Sequence, residues 1–337
     1  MSFFQRIIAF FTSLIMTVFG VSGVTQRQRA EALRVTAYIV AYDDEYMRNL
    51  DDSHFDGLTD IILIGNLVFF DAEGQLSFSD YFDGVIAAAK EKIGGRPIRL
   101  HLNFAGPAGV GETYEQQLHS SGDAHTKAFR TGLMEDQILA VLEEYGLDGV
   151  FFDYEFPMTQ EHFDAYDDFL VSLRKTVGDG YILGAAMPHW GETHSRAAMR
   201  ALDMIELMCY DCWEDSGAHA TVKSMQNTVK TYLKKGYKAS QLDAGIPFYA
   251  RPTTGDAYWY SYAGYYRDLD EGGFMTDDDT GLTFSFNTPE MVYEKTSWAI
   301  KKGLGGVMVW NYGCDLPAGN DASLFNAVAR AKADKAA

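Results

Sequence analysis

Asp153 and Glu155 stand two residues apart in the run Leu147-Asp148-Gly149-Val150-Phe151-Phe152-Asp153-Tyr154-Glu155-Phe156-Pro157, whose apolar and aromatic residues read as a buried strand. Side chains alternate across a strand, so Phe151, Asp153 and Glu155 face one way and Phe152 and Tyr154 the other. Two close carboxylates among apolar neighbours resist double ionisation, which pushes one pKa up toward the range of a general acid. The competing reading is a strand end whose acids reach solvent or cap the next helix, and residue types alone leave both open.

The elements that must position these acids alternate along the chain. Short β-branched and aromatic runs at Arg34–Tyr42, Asp60–Val68, Pro97–Phe104, Gly149–Asp153, Tyr181–Met187, Met204–Tyr210, Leu242–Phe248 and Gly305–Trp310 read as strands separated by helical patterns. Eight parallel strands with intervening helices predict an α/β protein of the (β/α)8 TIM-barrel class. Helices are signalled over Glu135–Tyr145 before Gly146, Val222–Lys235 before Gly236, and Pro289–Lys302 between Thr288 and Gly303. After the first and fifth strands only Glu45–Leu50 and Arg196–Leu202 are available, and Asp321–Lys332 reads as a final helix. A barrel gathers its chemistry at the carboxyl ends of its strands, where Asp153, Glu155, Met208 to Asp211, Tyr249 to Arg251 and Trp310 fall. The runner-up is an open doubly wound sheet, but no Gly-x-Gly-x-x-Gly turn follows the first strand to support a dinucleotide.

With 22 Phe, 20 Tyr and 5 Trp in 337 residues, the chain is globular rather than disordered. A net charge of −19 with no long basic run argues against nucleic acid and anionic membrane as partners and suits a neutral substrate. Arg6 followed by the apolar run Ile7 to Val24 reads as a signal peptide with small residues at Val21-Ser22-Gly23, or as an uncleaved membrane anchor. Residues 1–23 therefore stand apart from a single folded unit over residues 30–337, placed outside the cell or on its surface. Cys209, Cys212 and Cys314 carry no metal spacing and read as structural thiols; Cys209 and Cys314 both fall beside strand ends, which leaves room for one disulfide in an exported protein, though the sequence does not pair them. The run Asp277-Asp278-Asp279-Thr280-Gly281 lacks the ligand spacing of a calcium loop and reads as a solvated turn. No metal, cofactor or protein partner is signalled.

The run Asp148-Gly149-Val150-Phe151-Phe152-Asp153-Tyr154-Glu155 resembles the Asp-Gly-x-Asp-x-Asp-x-Glu pattern of glycoside hydrolase family 18, the chitinase family. The resemblance continues in order along the predicted barrel. Ala37-Tyr38 is similar to the first strand, Asn103-Phe104-Ala105-Gly106 to the third and Ala186-Met187-Pro188 to the fifth. Met208-Cys209-Tyr210-Asp211 is similar to the sixth strand, Gly245 to Arg251 to the seventh and Gly305 to Trp310 to the eighth.

The resemblance implies retaining hydrolysis next to N-acetylglucosamine, with the substrate's acetamido oxygen as nucleophile. Glu155 is then the general acid and base, Asp153 holds the acetamido N–H, and the Tyr210 hydroxyl positions the acetamido oxygen. Trp310 floors the sugar at the cleavage point, Met208, Asp211, Tyr249 and Arg251 contact the same or the next sugar, and Tyr38 lies beneath the acetamido group or fills the barrel. Arg251 could equally be an ion-pair partner on an acidic rim. The segment Tyr258 to Tyr262 with Tyr265 and Tyr266 either extends the groove or forms an aromatic minicore. Pro252 to Asn287 is too short for the full α+β insertion of many family members, which predicts an open cleft suited to endo cleavage. Position 151 departs from the pattern: the family's usual Asp is Phe here, which predicts a lasting Asp153–Glu155 pair and a lowered rate or shifted pH profile. Chitin and chitooligosaccharides are the substrates implied. The alternatives are an endo-β-N-acetylglucosaminidase acting on N-glycans or peptidoglycan, and a non-hydrolytic sugar-binding protein, which the retained Glu155 disfavours.

Overall fold

All eight expected strands pair in parallel and close on themselves in the computed structural model, which describes residues 24–255 and 257–337. They are β1 Arg34–Val40, β2 Asp60–Ile64, β3 Arg99–Phe104, β4 Gly149–Phe152, β5 Ile182–Pro188, β6 Met204–Met208, β7 Leu242–Pro247 and β8 Gly306–Trp310. Each strand neighbours the next, and β8 returns to β1 through the register Arg34↔Gly306 to Ala37↔Val309. Residues 1–23, with the expected signal peptide or anchor, lie outside the described residues. Among the described residues no helix is long and apolar enough to cross a membrane.

Continuous burial along the strands follows from helices on the outside and packed side chains within. The strand β4 is buried at all four positions, and β7 at all six. Expected and observed boundaries differ mainly at carboxyl ends, where the chain leaves the barrel to build loops. The expected strand Asp60–Val68 divides at Gly65, whose φ of 121° turns the chain, and Val68–Phe70 pairs instead with Leu76–Phe78 in a two-stranded sheet.

The caps legible in sequence do stop and start the helices. Thr221 and Thr288 accept backbone N–H hydrogen bonds at the starts of Val222–Lys235 and Pro289–Lys302, and Gly236 and Gly303 close them in the left-handed conformation. The weakly signalled helices are single short turns, Asp44–Asn49 and Arg196–Ala201, and the last helix runs Leu324–Ala336, later than expected, because Ser323 caps it.

Between β7 and the helix Pro289–Lys302, the 252–287 segment builds no full insertion domain. Tyr249–Pro252, Tyr260–Ser261, Phe274–Thr276 and Thr283–Ser285 form a small antiparallel sheet. Its aromatic residues divide in role. Tyr260 stacks on Phe284 at 4.3 Å and on Tyr265 at 4.5 Å, so most of the set is a minicore. Trp259 instead lines the cleft described below. The cysteines give the thiol reading: Cys209, Cys212 and Cys314 are all free, and the conceivable Cys209–Cys314 disulfide does not form. Asp277 turns back on Thr280, accepting from its backbone N–H at 2.9 Å.

Candidate active site

The carboxyl ends of the strands open into a cleft of about 1250 Å³. Eight of the nine residues singled out in the sequence line it: Asp153, Glu155, Met208, Tyr210, Asp211, Tyr249, Arg251 and Trp310. They arrive from the ends of β4, β6, β7 and β8. Tyr38 is the ninth and does not reach the cleft. It lies one layer down in the barrel, with its ring 5.3 Å from that of Trp310, so it supports the floor.

Asp153 and Glu155 share a hydrogen bond just beyond the end of β4. Glu155 faces the open cleft, and its carboxyl is raised by burial at the cleft floor and by the charges of Asp153 and Asp211. Asp153 is raised by burial alone, and the Glu155 hydrogen bond works against that shift. Both carboxyls are therefore pushed toward their protonated forms, and Glu155 takes the added push of its neighbours' charges. Asp153 Oδ1 has no hydrogen-bond partner among the described residues.

The departure at position 151 has a packing explanation. The Phe151 ring is fully buried in the barrel interior and lies 5.1 Å from the His101 ring. The residue beside it in register is Gly184 of β5, where a Cβ would come within 2.0 Å of the Phe151 ring. Glycine at 184 and phenylalanine at 151 are thus a matched pair. The same device makes room for Tyr210: a Cβ on Gly245 would lie 2.9 Å from the Tyr210 ring. Burial raises the Tyr210 phenol well above its ordinary pKa, so it stays a hydroxyl donor.

The Asp211 side chain is clamped rather than free. Arg251 donates to it from Nε at 2.9 Å and Nη2 at 2.8 Å, and the Tyr249 hydroxyl donates at 2.7 Å. Burial alone would raise its carboxyl, but hydrogen bonds with His219, Arg251 and Tyr249 outweigh burial and hold it well below the usual carboxylate range. Arg251 is therefore the ion-pair partner of Asp211 on the cleft wall, which unites the two readings of it. Asp211 itself sits at φ 50°, with His219 Nε2 3.0 Å from its backbone nitrogen and 3.2 Å from its Oδ1.

Sequence reasoning missed the wall that follows β5. His189, Trp190 and Glu192 line the cleft, with Trp190 half exposed and edge-on to Phe156 at 4.7 Å. His194 pins that loop, lying 2.5 Å from Asp167 and 3.4 Å from Glu192. Burial would lower its pKa, but the two carboxylates lift it to about 9, so the loop is tied down by a charged histidine. The opposite rim carries Tyr42 and Tyr114, both exposed. A Trp three residues past the expected strand end at Met187 was the available signal for the wall that follows β5. Among the described residues no group of His, Cys, Asp and Glu could hold a metal ion.

The arrangement is a hydrogen-bonded pair of carboxyls, both raised above their ordinary pKa, with the Tyr210 phenol and the Trp310 indole lining the same cleft. The family model of the glycosyl hydrolases family 18 matches residues 34–315. Endochitinase 1 of Metarhizium robertsii is 27% identical over 244 residues, covering 57% of this chain and 57% of that protein. The chain spans little more than half the length of the curated relatives it matches. A family 18 chitinase from the chitin utilization locus of Flavobacterium johnsoniae superposes with a TM-score of 0.72 at 20% identity, covering 90% of this chain and 94% of that one. The class V chitinase of Nicotiana tobaccum, crystallised as a mutant with NAG4, superposes with a TM-score of 0.67 at 15% identity, over 88% of this chain and 98% of that one.

Proposed function

Because the chain belongs to the glycosyl hydrolases family 18, we propose that it hydrolyses β-1,4 glycosidic bonds next to N-acetylglucosamine, in chitin or chitooligosaccharides, by a retaining, substrate-assisted route. The observation that carries the reading is the hydrogen-bonded Asp153–Glu155 pair on the cleft floor, where burial and neighbouring charge raise the Glu155 carboxyl that faces the cleft.

Glu155 gives its proton to the glycosidic oxygen as the bond to the anomeric carbon breaks. The acetamido oxygen of the same sugar attacks that carbon, forming an oxazolinium ion. Asp153 accepts the acetamido N–H and balances the positive charge, while the Tyr210 hydroxyl donates to the acetamido oxygen and orients it. Glu155, now a carboxylate, takes a proton from water as the water opens the oxazolinium. Trp310, backed by Tyr38, offers a flat apolar floor for the pyranose ring. The Arg251–Asp211–Tyr249 clamp presents fixed polar atoms to the sugar hydroxyls. Trp190 and Trp259 extend the apolar walls for neighbouring sugars.

Incubation with a chromogenic chitobioside, a glycoprotein and purified cell wall, alongside Glu155→Gln, tests the proposal. Cleavage of the chitobioside by the wild-type protein and loss of it in the variant is the expected result. Release of glycans from glycoprotein alone would move the assignment to N-glycans, and equal sugar binding with no cleavage by either protein would make it a sugar-binding protein. We further propose that residues 1–23 direct export, which mass spectrometry of the mature N-terminus tests.

A further inference from the structure

The buried polar atoms that lack partners among the described residues include Asp153 Oδ1, the Tyr38 hydroxyl, both carboxyl oxygens of Glu206 and, on β3, His101 Nδ1 and Asn103 Oδ1. Glu206 lies on β6, fully buried, between Ala186 of β5 and Asp243 of β7 in register. Buried polar atoms are almost always satisfied, so several together in one interior mark a site with work to do or one filled by internal water.

The local charges settle the state of Glu206. Arg34 of β1 is committed to Asp243, 2.5 Å from Oδ1, and Arg99 of β3 to Asp60, with Nε 2.8 Å from Oδ1. His101 also lies against Asp60 at 2.7 Å. Two arginines serve two aspartates, and among the described residues no cation forms an ion pair with Glu206. A carboxyl buried without a cation takes up a proton rather than bear its desolvation. Burial raises the Glu206 carboxyl well above its ordinary pKa, Asp243 and more weakly Asp60 push the same way, and Arg34 opposes them. A neutral carboxylic acid has one O–H to donate, and the Tyr38 ring lies within the electrostatic reach of both Glu206 and Asp153.

We propose that Glu206, as a neutral acid, is a positioning residue for the catalytic pair: through the Tyr38 hydroxyl and internal water it directs a hydrogen bond at Asp153 Oδ1. The idea rests on the reading of Glu155 as proton donor. Its physical content is a donor supplied from β6 where Phe151 of β4 can supply none. A donor to Asp153 Oδ1 stabilises the ionised Asp153 and so leaves the shared proton on Glu155, where the reaction needs it. The other titratable groups whose fields reach Asp153 are Glu155, Tyr210 and Tyr166; the Tyr166 hydroxyl also lacks a partner, but its ring packs with Phe129, Phe152 and Tyr154, on the face of β4 turned away from Asp153.

The test compares Glu206→Leu, Glu206→Gln, Tyr38→Phe and the Leu/Phe double variant in pH-rate profiles on a chitobioside. Glu206→Leu and Tyr38→Phe should each lower kcat roughly tenfold with KM little changed, and should raise the acidic limb by about one pH unit. Glu206→Gln, which keeps a neutral donor, should recover most of what the leucine variant loses. The double variant should be no worse than either single one, because both interrupt one relay. If Glu206→Gln falls as far as Glu206→Leu, or if Tyr38→Phe leaves the acidic limb in place, the relay is refuted. An infrared difference between wild type and Glu206→Gln, without substrate, reads the same group directly. A protonated-carboxyl band above neutral pH that the variant lacks supports the proposal, and its absence overturns it. That readout is independent of substrate, so a wild-type protein inert on chitobioside would sink the functional reading and leave this one decidable.

Discussion

Phe151→Asp restores the carboxyl that the chain's fourth strand lacks, and its consequences divide cleanly between stability and chemistry. The ring is fully buried against His101 and the Gly184 backbone. Truncating a buried Phe costs about 3–5 kcal/mol. A neutral Asp at 151, two residues before Asp153 on the same face, would donate to the unpartnered Oδ1 and return about 1 kcal/mol. The net loss of about 3 kcal/mol should lower Tm by roughly 5–10 °C. In catalysis the new donor favours ionised Asp153. One added hydrogen bond of about 1 kcal/mol corresponds to a downward shift of the acidic limb by roughly half to one pH unit. The assay is kcat and kcat/KM on a chitobioside from acid to alkaline pH, at a temperature where differential scanning calorimetry shows the variant folded. In the Glu206→Leu background the same substitution should restore the lost rate. If Phe151→Asp left both rate and pH dependence unchanged, the account of Asp153 as a residue short of one donor would fail.

Three further outcomes follow from the site. Glu155 has a folded pKa raised above its unfolded value, so its contribution to stability is fully present below about pH 4 and is lost as pH rises through the folded value. Glu155→Gln should therefore melt above the wild type at neutral and alkaline pH and together with it at low pH, and equal melting at all pH values would refute the raised pKa. Removing only the Tyr210 hydroxyl with Tyr210→Phe should cut kcat roughly 10–100-fold with Tm nearly unchanged; a loss confined to KM would show that the hydroxyl binds the sugar without orienting the nucleophile. Trp190→Ala should raise KM for chitotetraose and longer oligomers several-fold while sparing the chromogenic chitobioside, and an equal effect on both would place the indole at the cleavage point instead of the cleft wall.

The barrel was legible because its determinants are local. Strand alternation, Gly caps at 236 and 303, and Thr caps at 221 and 288 each act over a few residues, so eight strands and the longer helices stand in the sequence near their observed places. The cleft-lining residues at strand ends were legible for a related reason: once the strands are ordered, a barrel delivers all of their ends to one rim. For Tyr38 the resemblance left two places open, beneath the acetamido group or within the barrel, and depth along the axis, which only the closed barrel fixes, puts it in the interior behind Trp310. The wall at Trp190 was not legible, because a loop's direction is decided by what pins it, here His194 between Asp167 and Glu192 from separate segments.

The identity of the acid pair, the order of the strands and the absence of a carboxyl at 151 are properties of the sequence alone, set by residue type, spacing and alternation. What raises the Glu155 carboxyl, what Arg251 is paired with, why Gly184 accompanies Phe151 and how deeply Glu206 is buried are decided only by the closed barrel. Those facts depend on distance and burial between residues far apart in the chain, and Coulomb and desolvation energies follow separation in space.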